Sequence, residues 1–240
     1  MRISRSERIQ AHVSGICVST TRVGVLEDMP TVEPIVKPAS PRQVDVFYDY
    51  LCPFVYRASV LLQNVKDSGE RPLDVRWRYF SLVQVNSKVE GFTVWDAPDS
   101  EARGRLAFKA AEAARRQDAF DDFHMALLRA RHEQRADIDA VAVVEQVAED
   151  AGLDLERFRK DIADPQIVSA LERDHRSAVA DYGVFGTPTL VFDGGVAAYV
   201  RLSEPPQASD SVAIFDRVIS IGAEEPRILE IKRPVKPSPD

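Results

Sequence analysis

With 240 residues, 45% of them hydrophobic, the chain can fill the core of one large domain, or of one domain carrying an inserted subdomain. Its net charge of −7, from 31 basic and 38 acidic residues without a basic stripe, argues against a nucleic-acid partner. Two cysteines, Cys17 and Cys52, rule out a disulfide scaffold or a cysteine-rich zinc module, and the four histidines lack paired ligand spacing, so no metal is expected.

The N-terminus is charged, but no unbroken apolar segment follows it; the patch Ala11–Val18 contains His, Ser and Gly. No apolar run approaches the roughly 18–20 residues of a transmembrane helix. A cytoplasmic protein without a membrane partner is the expectation, and a disulfide formed there is transient and catalytic.

Residues 1–41 read as a flexible extension, broken by Pro30, Pro34, Pro38 and Pro41. Met29 is an alternative start, which would remove Cys17. As a resolving partner for Cys52, Cys17 is disfavoured by the closure entropy of such a tail.

Residues 42–100 read as a strand–helix–strand unit. Val44, Val46, Phe47, Tyr48 and Tyr50 are β-branched or aromatic, and Asp49 marks the strand exit. A helix runs from about Pro53 to Lys66 and stops at Asp67-Ser68-Gly69. Leu73 to Phe80 alternates as a second strand, which predicts a parallel pair with a right-handed crossover. Ser81 to Ser100 reads as an irregular loop. Its Phe92 and Trp95 either cover a substrate or fill the core.

Residues 101–183 are helical throughout: a strong helix former at 107–116, an apolar stripe at Phe120, Phe123, Leu127 and Leu128, a repeat of it over 138–151 ending at Gly152, and helices opened by Asp154 and Asp164-Pro165. Several helices in a row after a strand–helix–strand opening make an inserted helical subdomain. Its His124 and His132 read as surface or satisfied core. Residues 184–224 return to the sheet, with a strand from Gly186 to Phe192, a hairpin signal at Asp193-Gly194-Gly195, a return strand over 196–202 and a last amphipathic helix over 209–222. Residues 225–240 form a proline-rich tail.

Cys52 falls where the helix N-cap belongs, and Pro53 fits the first helical position. A thiol there faces unpaired backbone N–H groups and the positive end of the helix dipole, which stabilises negative charge on sulfur and so the nucleophilic form. The alternative is an inert buried cysteine. Strand, cysteine, proline and helix in that order favour the reactive one.

The order β-α-β, helical insert, β-β-α, with Cys52-Pro53 at the first helix and Gly186-Thr187-Pro188-Thr189 opening the third strand, resembles the thioredoxin-like α/β fold in its DsbA-like branch. The likeness covers about 44–234. It is nearest to cytoplasmic bacterial members such as mycothiol-dependent reductases, on the stretches 79–86, 182–189 and 230–233. Kappa-class glutathione transferases and chromene-carboxylate isomerases are neighbouring branches. The resemblance implies that Cys52 is the attacking cysteine, that Pro53, Phe54, Thr187 and Pro188 bind substrate, and that the Thr187–Pro188 peptide is cis.

The chain departs from the family's Cys-x-x-Cys motif: Val55 stands where a resolving thiol belongs. Three readings survive. In the first, Cys52 works alone, without a tightly bound cofactor, on a small thiol or disulfide or on a peptide or protein disulfide. Glutathione or mycothiol, as co-substrate, then resolves the mixed disulfide. In the second, a transferase or isomerase binds a thiol cofactor and Cys52 only hydrogen-bonds it. In the third, a non-catalytic module holds a peptide between Phe54, Trp95 and Pro188. Asp49 reads as a cap of the following helix, Arg57 as a solvated surface residue, and Lys232 and Arg233 as a solvated tail pair.

Overall fold

The computed structural model describes residues 42–233. At its centre is β1 (Arg42–Tyr48), whose last five residues are buried on both faces, as a run of β-branched and aromatic residues requires. The chain leaves β1 through a short turn, enters α1 (Pro53–Ser68) and returns as β2 (Leu73–Tyr79), parallel to β1 with Val44 opposite Val75 and Tyr48 opposite Tyr79. Helix α1 ends at Gly69, whose φ of +66° suits a residue without a side chain and whose N–H reaches Lys66 O at 3.2 Å.

A short helix, α2 (Leu82–Asn86), follows β2 and is capped by the Ser81 hydroxyl, which accepts from Gln84 N. The sequence reads this stretch as irregular, because five residues are too few to display a helical period. Phe92 and Trp95 are packed against the core; Trp95 is 6% exposed and contacts His175. Trp95 belongs to the interior, and Phe92 packs on the core while staying partly exposed.

The insert consists of α3 (Arg105–Arg115), α4 (Phe120–His132), α5 (Val141–Asp150), α6 (Leu155–Ile162) and α7 (Pro165–Tyr182). The sheet is completed by β3 (Thr189–Val191), antiparallel to β1 with Phe47 opposite Thr189, and by β4 (Ala197–Tyr199), antiparallel to β3. The sheet order is β2-β1-β3-β4. The return strand expected over 196–202 is only three residues long, and Asp193–Gly195 forms a 3-10 turn instead of a two-residue hairpin loop. Gly194 and Gly195, both at φ +80°, spend their freedom in that turn. The last helix, α8 (Ala208–Gly222), packs on α1. Val44, Val46 and Tyr48 join the core shared with α1, while Phe47, Phe80, Ala178 of α7, Val184 and Val191 form a second cluster.

His124 of α4 is a polar anchor inside the first core. Its Nδ1 lies 3.0 Å from the Tyr50 hydroxyl and its Nε2 3.2 Å from that of Ser59, and its ring stacks on Phe120. Burial holds its pKa down at about 3, with the Arg115 charge acting in the same direction. The folded state therefore keeps His124 neutral, while the unfolded chain takes up its proton below about pH 6.5. Stability is lost as pH falls through that window. Asp49, described below, acts in the opposite sense, so the effect is read by difference. Between pH 7 and 5, His124→Gln is expected to lose about 2 kcal/mol less unfolding free energy than the wild type, measured by urea titration at each pH. Equal losses in the two proteins would contradict this.

Candidate active site around Cys52

Three backbone features set the position of Cys52. Its N–H donates to Asp49 O at 3.0 Å, closing the turn out of β1; its backbone is extended (φ −88°, ψ 116°) as the N-cap of α1; and its carbonyl accepts from Val55 N at 3.1 Å. The thiol does not cap the helix. Instead, Sγ lies 3.2 Å from the carbonyl oxygen of Thr187, towards which the S–H points as donor. Cys52 is 5% exposed, whereas the next residue, Pro53, is exposed. Val55, one turn along α1, is completely buried.

The Thr187–Pro188 peptide bond is cis. Both residues are buried immediately before β3, and Pro188 O accepts from Val200 N at 3.1 Å. The Thr187 hydroxyl is buried without a hydrogen-bond partner. Phe54 is half-buried, with the Arg57 and Arg201 guanidiniums over its ring. The structure thus brings Cys52 and Thr187 into contact and sets Pro53 and Phe54 beside them on α1. Trp95 is buried in the same core cluster as Cys52, against which Phe54 packs.

Asp49 does not take the role read from the sequence, a cap of the following helix α1; both of its hydrogen bonds lie outside that helix. It is 1% exposed, and its two carboxylate oxygens accept from Leu51 N at 2.8 Å and Leu82 N at 2.7 Å. One side chain thereby ties the turn after β1 to the turn after β2. Burial raises its pKa to about 6 against the two N–H donors, and Asp139 adds to the rise. The sequence offers no signal for the second contact, since Leu82 is 33 residues away.

The insert presses on the same turn. A side chain on Gly104 (φ +79°), at the start of α3, would meet Leu51 at 3.3 Å, and Gly104 N donates to Asp139 Oδ1 at 2.7 Å. At the end of α4, His132 Nε2 lies 2.9 Å from Tyr50 O and its ring stacks on Tyr56, whose hydroxyl bonds Glu133. His132 is therefore a strut for the Cys52 turn, and burial lowers its pKa. Arg57 is likewise not simply solvated, since its Nη1 donates to Leu202 O at 2.8 Å. Lys232 and Arg233 are exposed, and Cys17 lies outside the described residues.

No cluster of three or more His, Cys, Asp or Glu suited to a metal occurs among the described residues, and none of their helices is long and apolar enough to cross a membrane. A cleft of ≈ 510 Å³ lies beside β2 and α7, lined in part by Arg76, Arg173 and Asp174, and includes none of the five residues assigned to the Cys52 site.

A thiol at a helix N-cap, against the residue before a cis-proline, with helices inserted between two halves of the sheet, directs the comparison with known proteins. Residues 43–207 match the DSBA-like thioredoxin domain. The chain belongs to the DSBA-like thioredoxin family. Among curated proteins, the uncharacterized protein Rv2286c of Mycobacterium tuberculosis is 26% identical over 195 residues, 81% of this chain and 83% of that one. Among solved structures, the cytosolic disulfide reductase DsbM of Pseudomonas aeruginosa with GSH is similar at TM-score 0.53 and 17% identity, over 75% of this chain and 100% of that chain. A 2-hydroxychromene-2-carboxylate isomerase is similar at TM-score 0.52 and 16% identity, over 76% and 98%. At these identities the two structures share the fold with this DSBA-like protein.

Asp49→Ala leaves the Leu51 and Leu82 N–H groups unpaired in the interior and is expected to cost about 2–4 kcal/mol. The deficit grows as pH falls from about 6 towards 4, because the folded wild type takes up a proton on Asp49 there before the unfolded chain does. Urea titration at the two pH values measures both effects; an unchanged midpoint would mean that other contacts hold the two turns.

Proposed function

We propose that the protein is a monothiol oxidoreductase in which Cys52 is the nucleophile. The contact of 3.2 Å between Cys52 Sγ and Thr187 O at the N-terminus of α1 carries this reading. It puts a thiol at the positive end of the α1 dipole, which favours a thiolate, next to backbone along which an extended substrate can lie. In the first step, the Cys52 thiolate attacks one sulfur of a disulfide R–S–S–R. A new S–S bond joins Cys52 to the attacked sulfur, the substrate S–S bond breaks, and R–S⁻ leaves with the electron pair. In the second step, an external low-molecular-weight thiolate attacks the mixed disulfide and Cys52 departs as thiolate. Glutathione and mycothiol are the candidate resolving thiols, and the substrate is a small thiol-derived disulfide or a peptide or protein disulfide. Pro53, Phe54, Thr187 and Pro188 hold it. With only two cysteines in the chain, the protein suits a reducing cytoplasm.

Val55 supports the external resolver. A second thiol at that position would lie one turn from Cys52, and a buried valine cannot replace it. The same valine favours a second reading, in which a kappa-transferase- or isomerase-like enzyme binds a thiol cofactor without forming a disulfide.

The two are separated by intact mass after incubation with glutathione disulfide or mycothiol disulfide. One adduct, absent in Cys52→Ser and removed by free thiol, is expected; no adduct near neutral pH contradicts the monothiol enzyme. Val55→Cys gives a complementary test. It is expected to convert the adduct into an internal disulfide, about 2 Da below the reduced mass, without added thiol. A stable adduct on Cys52 of the Val55→Cys protein would contradict that geometry.

A further inference from the structure

The mouth of the Cys52 site carries two cations that no carboxylate of the described residues neutralises. Phe54 lies in the first turn of α1, two residues after the sulfur. The Arg201 guanidinium carbon is 3.8 Å from its ring centroid and that of Arg57 is 5.0 Å away. Arg201 is exposed, and among the described residues neither arginine forms an ion pair. Arg57 spends one N–H on Leu202 O and keeps the rest of its donors. The acidic residues nearest in sequence to the loop and to the end of α4 do not reach them: Glu133 accepts from the Tyr56 hydroxyl, and Glu204 is exposed without an ion pair.

Two guanidiniums over one ring repel each other, and the positive end of α1 adds to the same field. The chain as a whole carries −7, so the positive mouth is local. A carboxylate lowered between the two arginines would relieve the repulsion and take charge-assisted, forked hydrogen bonds from planar donors already held by stacking.

Given Cys52 as the nucleophile, we infer that Arg57 and Arg201 select anionic substrates: small disulfides whose carboxylate seats above Phe54 while Cys52 attacks a disulfide sulfur. The exchange itself is the one written above, and the arginines exchange neither protons nor electrons in it. They act by orienting the substrate and by raising its local concentration. The selection favours a thiol of glutathione type, which bears carboxylates, over mycothiol, whose sugar and inositol bear none.

Three probe disulfides test this: glutathione disulfide (anionic), 2-hydroxyethyl disulfide (neutral) and cystamine (cationic). Mixed-disulfide formation on Cys52 is followed by intact mass, and each rate is divided by that of 2-mercaptoethanol with the same probe, which removes intrinsic reactivity. The wild type is expected to rank them anionic, neutral, cationic. Arg201→Glu is expected to lower the ratio of anionic to cationic rates by about tenfold or more, and added salt to compress the wild-type ratio. Arg201 is exposed, so the replacement leaves the core intact. Equal normalised rates, or a ratio that Arg201→Glu does not move, would overturn the selection and leave Cys52 a nucleophile. Absence of an adduct from all three probes would instead overturn the nucleophile reading, and the selection with it.

Discussion

The antiparallel pairing of Phe47 with Thr189 is the constraint on which the site depends. Cys52 lies five residues beyond Phe47 and Thr187 two residues before Thr189, so the register of β1 against β3 brings together two residues 135 apart in sequence. A slip of one residue would turn Thr189 and Leu190 to opposite faces and move the Thr187 carbonyl away from the sulfur. The burial of β1 on both faces enforces the register. Val44, Val46 and Tyr48 fill the core shared with α1, and Phe47 fills the cluster under α7. Stability of the strand and geometry of the thiol are therefore one requirement, met by the same residues.

The insert serves that geometry from the other side. Gly104 admits Leu51 because it has no Cβ, His132 braces Tyr50 O, and His124 joins the Tyr50 hydroxyl to Ser59 of α1. Asp49 adds the link to the exit of β2. Asp49, Ser59 and His124 are buried and bonded, and an unpaired polar group there would cost more than its bond returns. The turn bearing Cys52 is thus held by hydrogen bonds to α2 and α4 and by packing of Leu51 on Gly104 at the start of α3. Cys52 is thereby fixed in place, while Pro53 and Arg201 beside it are exposed.

Much of this is legible in the sequence because it is local. The β-branched run of β1, the proline at the first position of α1, the amphipathic stripe of α4 and the glycine stops each follow from propensities acting over a few residues. The order of elements, with Cys-Pro and Thr-Pro at its two joints, is enough to reach the thioredoxin-like fold and its DsbA-like branch. What stays hidden depends on distant partners. The second hydrogen bond of Asp49, the stacking of Arg201 and Arg57 on Phe54, and the roles of His124 and His132 exist only once the chain has closed. Helix α2 is too short for any period to register, and the strands expected over 186–192 and 196–202 shrink to three residues each. Trp95 illustrates the limit in the opposite direction, since a large aromatic residue in a long loop near a cysteine reads equally well as cover or core, and only packing decides.

The central claim is that Cys52 forms a covalent bond with its substrate and releases it to a separate thiol. Steady-state kinetics with a disulfide and a small thiol varied against each other test it most directly. Alternating bond formation and release at one sulfur predicts parallel double-reciprocal lines, and no turnover in Cys52→Ser. Intersecting lines, with activity retained in Cys52→Ser, would require both reactants on the protein at once and would contradict the covalent account in favour of a bound thiol cofactor.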